Sequence, residues 1–291
     1  MKMTSTLLTI AFLFASSQLI AGTNKRNKVI YGEDNRVDVV NSTNSLFVEL
    51  SRSTAAMISS SNLRPEDNGT TKITARTLKS NGICASERFS AQISAANCSG
   101  FLVGEDLLVT AGHCIRSNSD CKSYKWVFDY KVDHEEQGAI TVDDSSIYSC
   151  SKIVNRSLNG STMDDWALIK LDRKVTDRAA LTYRTSGQIA QNDPLVVIGH
   201  PTGIPTKIAD GANVRRLEGT FFVANLDTYG GNSGSAVFNA ETGMVEGILV
   251  RGTTDYVYDS AQKCQVSNVC RNSDCRGEDV TYITNIPELQ K

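Results

Sequence analysis

Several features are scarce in this chain of 291 residues, and each scarcity argues against a class of protein. The chain has only three histidines, and none lies near the cysteines between Cys264 and Cys275, which argues against a zinc site there. After residue 22, no apolar run approaches the roughly 20 residues that a membrane-spanning helix needs. Helical periodicity is also rare, and short β-type runs take its place.

The chain also has no excess of basic over acidic residues. The first 28 residues hold four of the 30 basic residues and none of the 32 acidic ones. A chain that begins at residue 29 therefore carries 26 basic against 32 acidic residues, a net charge of −6. A nucleic-acid-binding protein needs a basic face. We therefore expect no nucleic-acid partner.

The amino terminus has the pattern of a secretory signal peptide. Lys2 gives a positive start, residues 7–15 form a short apolar run, and small residues follow to Gly22. That run is too short to span a membrane. We predict a signal peptide over residues 1–22, a short basic propeptide over 23–28, and a mature domain over 29–291. The mature protein is expected to be a secreted monomer, extracellular or periplasmic, without a membrane partner.

The eight cysteines fit an oxidising compartment, where an even count predicts four disulfides. Cys121 and Cys150 flank one strand-rich segment, which favours their pairing. The remaining cysteines include Cys84 and the carboxy-terminal Cys264, Cys270 and Cys275, whose pairing the sequence leaves open.

Short strand-like runs separated by turn residues continue from residue 29 onward. The clearest lie at residues 99–103, 107–110, 124–128, 167–171, 194–198, 220–225, 236–238 and 244–250. The last two predict a hairpin with Gly243 in its turn. Many short strands at this spacing predict an all-β sandwich or closed barrels. Residues 55–84 are less regular and are expected to be an excursion before the central strands, and residues 285–289 a short terminal helix.

The most informative segment reads Gly230-Gly231-Asn232-Ser233-Gly234-Ser235. A serine hydroxyl is a weak nucleophile unless a base removes its proton and donors stabilise the oxyanion that forms. The flanking glycines allow a sharp turn that aims the amides of Gly231 and Ser233 at one point. We therefore predict Ser233 as the nucleophile and these two amides as an oxyanion hole.

Two upstream segments supply the partners that such a serine needs. His113 follows an apolar strand and small residues, and Asp165 opens a second apolar strand. A histidine base requires a carboxylate on its other nitrogen, which fixes the tautomer and stabilises the imidazolium. Asp164 competes for this role, but Asp165 directly precedes the strand and is favoured. The chain order of histidine, aspartate and serine differs from that of the α/β-hydrolases and the subtilisins.

Together these segments resemble the chymotrypsin/trypsin-like serine endopeptidases, and within them the bacterial branch that contains the glutamyl endopeptidases. The matching elements are Thr110-Ala111-Gly112-His113-Cys114, Asp165-Trp166-Ala167-Leu168 and the segment from Gly230 to Ser235. Residues 29–36 also resemble the mature amino terminus of that branch. The resemblance implies two six-stranded antiparallel β-barrels with the active site in the cleft between them. It also implies a disulfide between Cys98 and Cys114 that holds the histidine loop.

The implied function is a secreted serine endopeptidase that cleaves proteins or peptides through an acyl-enzyme and needs no cofactor or metal. The alternative is a non-catalytic homologue that acts as a binding or adhesion protein. Asp227 stands where trypsin-like relatives have the floor of the specificity pocket, so cleavage after arginine or lysine is predicted. A pairing of Asp227 with Arg251 would instead close that pocket.

Glutamyl specificity is the alternative within the branch. Relatives with that preference carry a histidine where this chain has Leu249, which argues against it. Thr228 matches the branch, and Arg251 offers a positive charge for an acidic substrate, so Thr228 and Arg251 remain candidate substrate-binding residues. We also predict that the mature chain begins at Val29, where the resemblance starts after a basic run. The digestive proteases pair their new amino terminus with an aspartate, but Asn232 stands at that position here.

Three other features receive structural interpretations. His134 lies in a charged stretch and is expected at the surface, and His200 is expected in a turn near the nucleophile loop. The acidic residues at 129–136 and 143–144 are expected to be surface turns rather than a calcium site.

Overall fold

The structure is a computed structural model that describes residues 30–134 and 139–290. The expected signal peptide (1–22), propeptide (23–28) and mature amino-terminal residue Val29 lie outside the described residues. Glu135 and Glu136 of the acidic stretch also lie outside them. No described helix is both long enough and apolar enough to cross a membrane.

Strands account for most of the regular structure in the described residues. In the first half of the chain they are β1 (Ile30–Tyr31), β2 (Arg36–Asp38), β3 (Thr54–Ser59), β4 (Leu63–Pro65), β5 (Thr70–Ile73), β6 (Ala96–Leu102), β7 (Leu107–Thr110), β8 (Tyr124–Phe128), β9 (Ile140–Asp143) and β10 (Ile147–Leu158). In the second half they are β11 (Asp165–Leu171), β12 (Pro194–Gly199), β13 (Lys207–Leu217), β14 (Phe221–Ala224), β15 (Ala236–Asn239), β16 (Val245–Arg251), β17 (Tyr256–Asp259), β18 (Cys264–Ser267), β19 (Val269–Cys270) and β20 (Glu278–Tyr282). Two short helices are α1 (Ser45–Ser51) and α2 (Asn118–Ser123).

Twelve of these strands form two antiparallel barrels. The first closes in the order β10-β11-β7-β6-β3-β8. The second runs β12-β15-β16-β20-β14-β13 and closes because β12 also pairs with β13, while β2 adds a strand outside β13. Closure leaves no unpaired edge within either ring. The prediction of two six-stranded barrels is confirmed.

β3 is a barrel strand that overlaps the predicted excursion of residues 55–84, so that interpretation was wrong for residues 55–59. Ala55 and Met57 pack into the main core, whereas Ala56 and Ile58 pack against a second cluster that the β4-β5-β9 sheet covers. Successive strand residues point to opposite faces. Because both faces of β3 are buried, its sequence shows no alternation of apolar and polar residues.

Helix α2 begins with a reciprocal capping arrangement and joins the first barrel through a disulfide. The Ser117 hydroxyl accepts a hydrogen bond from the Asp120 amide at 3.4 Å, and the Asp120 carboxylate accepts one from the Ser117 amide at 3.0 Å. Cys121 in this helix is bonded to Cys150 on β10. The expected terminal helix is a pair of 3-10 turns at Ile283–Asn285 and Pro287–Leu289.

All eight cysteines form disulfides. The expected pairs Cys98–Cys114 and Cys121–Cys150 are both present. The pairing that the sequence left open is Cys84–Cys264 and Cys270–Cys275. The first of these joins the β17-β18 hairpin to a residue 180 positions earlier in the chain, and the second closes a short loop that begins in β19.

The amino-terminal strand β1 lies beside this short carboxy-terminal loop. It pairs in parallel with β19, and the Ile30 amide donates to the Asn268 carbonyl at 2.8 Å. Ile30 and Tyr31 are each only 2% exposed. The first described residues of the chain are therefore packed into the protein.

Candidate active site

His113 lies in a turn that only glycine permits at the preceding position. It follows β7, and a Cβ atom on Gly112 would lie 2.1 Å from the Ser157 carbonyl oxygen. The next residue, Cys114, is bonded to Cys98 on β6 of the same barrel. The glycine and the disulfide together hold the imidazole at the barrel edge, where its side chain is 27% exposed.

Asp165 is the buried partner of His113. It is the first residue of β11, and its Oδ2 lies 2.8 Å from His113 Nδ1 while its Oδ1 accepts the His113 amide at 3.0 Å. A carboxylate at Nδ1 favours a proton there, so Nε2 is left as the basic nitrogen. Asp164 instead accepts a hydrogen bond from Asn285 at 2.8 Å. The structure thus brings Asp165, and not Asp164, to the imidazole.

Arg251 lies close to this aspartate and is held by other partners. Its Nε donates to Asp279 at 3.1 Å, its Nη2 donates to the Met163 carbonyl at 2.9 Å, and its Nη1 lies 3.7 Å from Asp165 Oδ2. The suggested pairing of Arg251 with Asp227 is therefore not observed. Two carboxylates already balance this cation.

Both barrels hold the loop that carries Ser233. The Ser233 carbonyl accepts the amide of Ser99 on β6 at 2.8 Å, and the Gly234 amide donates to the carbonyl of Leu249 on β16 at 2.7 Å. Gly234 has φ of +88°, and a Cβ there would lie 2.1 Å from the Ser99 carbonyl oxygen. The loop thus lies where the two barrels meet.

The amides of Gly231 and Ser233 are expected to form the oxyanion hole. Neither donates a hydrogen bond to another described residue of the chain. The intervening Asn232 amide is bonded to the Tyr229 carbonyl at 3.0 Å. Gly231 has φ of +90°, and a Cβ there would lie 2.5 Å from the His200 carbonyl oxygen. Gly231 and Ser233 are both half-buried, so their amides are accessible to a group bound beside Ser233.

His200 lies next to the Ser233 loop, where the sequence predicted a turn. It is fully buried, which lowers the pKa of its imidazole to about 3, and its ring stacks on Tyr130. Its amide donates to the hydroxyl of Ser99 at 3.1 Å, and that hydroxyl donates to the Gly231 carbonyl at 2.8 Å. His134 is exposed, in agreement with its predicted surface position.

The acidic residues 129 and 144 have ordinary protein partners. Asp129 accepts hydrogen bonds from Arg178 and Ser146, each at 2.8 Å. The Asp144 carboxylate accepts the Thr71 hydroxyl at 2.6 Å.

A cavity of about 210 Å³ opens beside Ser233. Leu249 and Val250 contribute apolar surface to its wall. Its charged lining residues are Asp255, Glu278 and Arg251. Thr228 and Arg251, two expected substrate-binding residues, line this cavity, whereas the third, Asp227, does not.

Asp227 holds the amino-terminal segment instead. One carboxylate oxygen accepts the Tyr31 amide at 2.7 Å and the other accepts the Asn35 amide at 3.0 Å. Burial raises the pKa of this carboxyl to about 6. Both oxygens of Asp227 thus bind backbone amides, and Asp227 is not among the residues that line the cavity, so its expected place at the pocket floor stays a prediction.

Glu278 is the acidic residue that sequence reasoning missed. It is the first residue of β20, is 3% exposed, and accepts hydrogen bonds from the hydroxyls of Tyr31 and Thr228, each at 3.2 Å. Burial raises the pKa of its carboxyl to about 8. The available signal was Glu278-Asp279 at the start of an otherwise strand-like run, because carboxylates are rarely fully buried unless paired.

Comparisons with known proteins agree with this geometry. Residues 98–248, more than half of the chain, match the trypsin-like peptidase domain. The chain therefore belongs to the trypsin-like peptidases, and it is a serine endopeptidase. A search of the curated proteins finds no match.

Two solved structures share the fold at low sequence identity. A Glu endopeptidase in complex with MPD is 13% identical, with a TM-score of 0.50, and the match covers 90% of this chain and 97% of that one. The VesB protease of Vibrio cholerae is 16% identical, with a TM-score of 0.51, and the match covers 90% of this chain and 66% of that one. At these identities the likeness concerns the fold.

Proposed function

We propose that this protein is a secreted serine endopeptidase that hydrolyses peptide bonds through Ser233, His113 and Asp165. The observation that carries the proposal is the pair of hydrogen bonds between His113 and Asp165, at 2.8 Å and 3.0 Å. They fix the ring and leave Nε2 as the base for a serine on the neighbouring loop.

The reaction proceeds by acyl transfer. His113 Nε2 takes the proton of the Ser233 hydroxyl as its oxygen attacks the substrate carbonyl, and Asp165 stabilises the imidazolium. The amides of Gly231 and Ser233 hold the oxyanion, and such a donor is typically worth about 3 kcal/mol. The imidazolium then protonates the leaving amine, and water releases the acyl group by the same steps.

We further propose cleavage after arginine or lysine by a monomeric enzyme outside the cytoplasm. The support for specificity is the charge of the cavity, where Asp255 and Glu278 face one cation, Arg251, that Asp279 already binds. Secretion is supported by the pattern of residues 1–22 and by four disulfides. The expected propeptide ends with Lys28, so the mature enzyme could process its own precursor.

The test is labelling with a fluorophosphonate, which reacts with an activated serine. We expect an adduct on Ser233 of the wild type and none on Ser233→Ala. Asp165→Asn should lower kcat on the order of 10⁴-fold, as the same change does in a related enzyme. His134→Gln is the matched control and should react like the wild type. Absence of an adduct on Ser233 would instead favour the non-catalytic binding protein.

A further inference from the structure

The cavity beside Ser233 contains a carboxylate without a cationic partner. Glu278 receives hydrogen bonds from the hydroxyls of Tyr31 and Thr228, and no described lysine or arginine lies within 4 Å of it. Burying an ionised carboxyl without a counter-charge costs several kcal/mol, so such a group takes up a proton instead. A cation that enters the cavity would favour the ionised carboxylate and bind to it.

The arginine side chains near Glu278 are bonded to other groups. Arg276 donates to Asp279 at 2.6 Å. Arg215 stacks over the Tyr31 ring and donates to the Asp274 carbonyl at 3.0 Å. Asp255, the other acidic group facing the cavity, accepts the Gly230 amide at 2.7 Å. The charge of Glu278 is therefore not matched from within the described residues.

Gly252 leaves this carboxylate open to the cavity. A Cβ atom at Gly252 would lie 1.6 Å from Glu278 Oε2. Any other residue at this point would occupy the space of the carboxylate or force it aside. The absence of a side chain at Gly252 thus keeps the acidic group at the surface of a cavity that also reaches Ser233.

The cavity matches a long cationic side chain. Leu249 and Val250 provide apolar surface for an aliphatic stem, and Glu278 provides an acceptor for its charged end. An acidic side chain would meet two carboxyl groups, Asp255 and Glu278, and neither stabilises a negative charge.

We propose that Glu278 is the specificity-determining residue, and that its carboxylate binds the arginine or lysine side chain on the amino-terminal side of the scissile bond. This inference rests on the proposed function. It assigns to Glu278 the role that the sequence analysis gave to Asp227. Thr228 and Tyr31 orient the carboxylate through their hydroxyls.

The test uses fluorogenic peptides that differ only before the scissile bond, where they carry arginine, lysine, leucine, glutamate or citrulline. Citrulline is a neutral analogue of arginine. We expect the wild type to favour arginine over citrulline by about 100-fold in kcat/KM, and Glu278→Gln to reduce that ratio to near one, as expected for the loss of a buried charge pair. Glu241→Gln, in the exposed turn of the β15-β16 hairpin, is the matched control and should keep the ratio.

Labelling with a fluorophosphonate separates the two proposals. If Ser233 of the wild type reacts and Glu278→Gln still prefers arginine to citrulline, the Glu278 proposal is wrong while the peptidase proposal stands. Collapse of the ratio in Asp255→Asn but not in Glu278→Gln would also overturn it. If Glu278→Gln does not fold, Glu278→Asp retains the charge on a shorter stem and should keep a reduced preference for arginine. An unchanged ratio in that variant would contradict the proposal.

Discussion

Two buried acids near Ser233 differ in what they contact. Asp227 is bonded through both oxygens to the amides of Tyr31 and Asn35, which belong to the fixed backbone. Glu278 is bonded to the hydroxyls of Tyr31 and Thr228 and to the backbone of Thr253, and it faces the cavity. Both side chains are carboxyls, but of the two only Glu278 lines the cavity where a ligand could reach it.

A pH dependence of cation binding follows from the environment of Glu278. Burial raises the pKa of its carboxyl to about 8, so the free enzyme is largely protonated there below pH 8. A bound cation favours the carboxylate, so binding below that pH must release a proton. We therefore expect the Kd of benzamidine, a small amidinium, to fall about 10- to 100-fold from pH 6 to pH 8 and to change little above it.

The measurement is calorimetric titration in buffers of different ionisation enthalpy, which also counts the released proton. The charged or titratable groups around Glu278 all remain in Glu278→Gln, namely Tyr31, Asp255, Arg215, Arg276 and Arg251. His113 also remains, so the difference between the two proteins isolates Glu278. Equal pH profiles for the two proteins would be inconsistent with a role for this carboxylate.

At the level of elements, the sequence predicted the strands that have an apolar face and a clear turn on each side. The bounds of β7 and β8 agree with the prediction, and β11 begins two residues earlier than expected, at Asp165 itself. β3 was missed because both its faces are buried and it shows no alternation. The second barrel was expected to contribute Ser233, and the sequence indicated that loop through its glycines.

The acidic lining of the cavity was not predictable in the same way. Asp227 and Glu278 are 51 positions apart, and each is buried in the structure. Which of them reaches the cavity depends on where β1 lies, because the Tyr31 amide of β1 donates a hydrogen bond to Asp227. That placement is a long-range contact with β19 at the opposite end of the chain. No local pattern encodes it.

The short loop closed by Cys270–Cys275 should influence substrate binding through β1. This loop begins at Cys270, the last residue of β19, and β19 pairs with β1, whose Tyr31 hydroxyl donates to Glu278 at 3.2 Å. Replacing both cysteines by serine should destabilise the fold by about 2 kcal/mol for so short a loop. It should also raise KM for the arginine peptide roughly fivefold, the equivalent of one hydrogen bond.

The matched control is the double serine variant of Cys121 and Cys150. That disulfide spans 29 positions, so its loss should cost more stability, about 3.5 kcal/mol. It lies between α2 and β10 of the first barrel, and KM should not change. Thermal unfolding and steady-state kinetics measure the two effects. A KM that follows the loss of stability in both variants would show that β1 has no specific influence on the pocket.

On the scale of the whole molecule, the candidate site is assembled from parts of both barrels. His113 and Asp165 belong to the first barrel, and the Ser233 loop precedes β15 of the second. The amide of Ser99 on β6 binds the Ser233 carbonyl at 2.8 Å and so couples the two halves. Relative movement of the barrels would therefore separate His113 from Ser233.

The amino terminus adds a second condition for an ordered site. Ile30 and Tyr31 are buried, and the Tyr31 amide and hydroxyl bind Asp227 and Glu278. A basic run precedes this segment and ends at Lys28.

We therefore expect activity to require cleavage between Lys28 and Val29, and expect Lys28→Gln to accumulate as an inactive precursor. Lys25→Gln, three positions earlier in the same run, should mature normally. Amino-terminal sequencing of the fluorophosphonate-labelled protein is the measurement. Labelled, active enzyme that still carries residues 23–28 would rule this account out, because the segment would then order the pocket without release of its end.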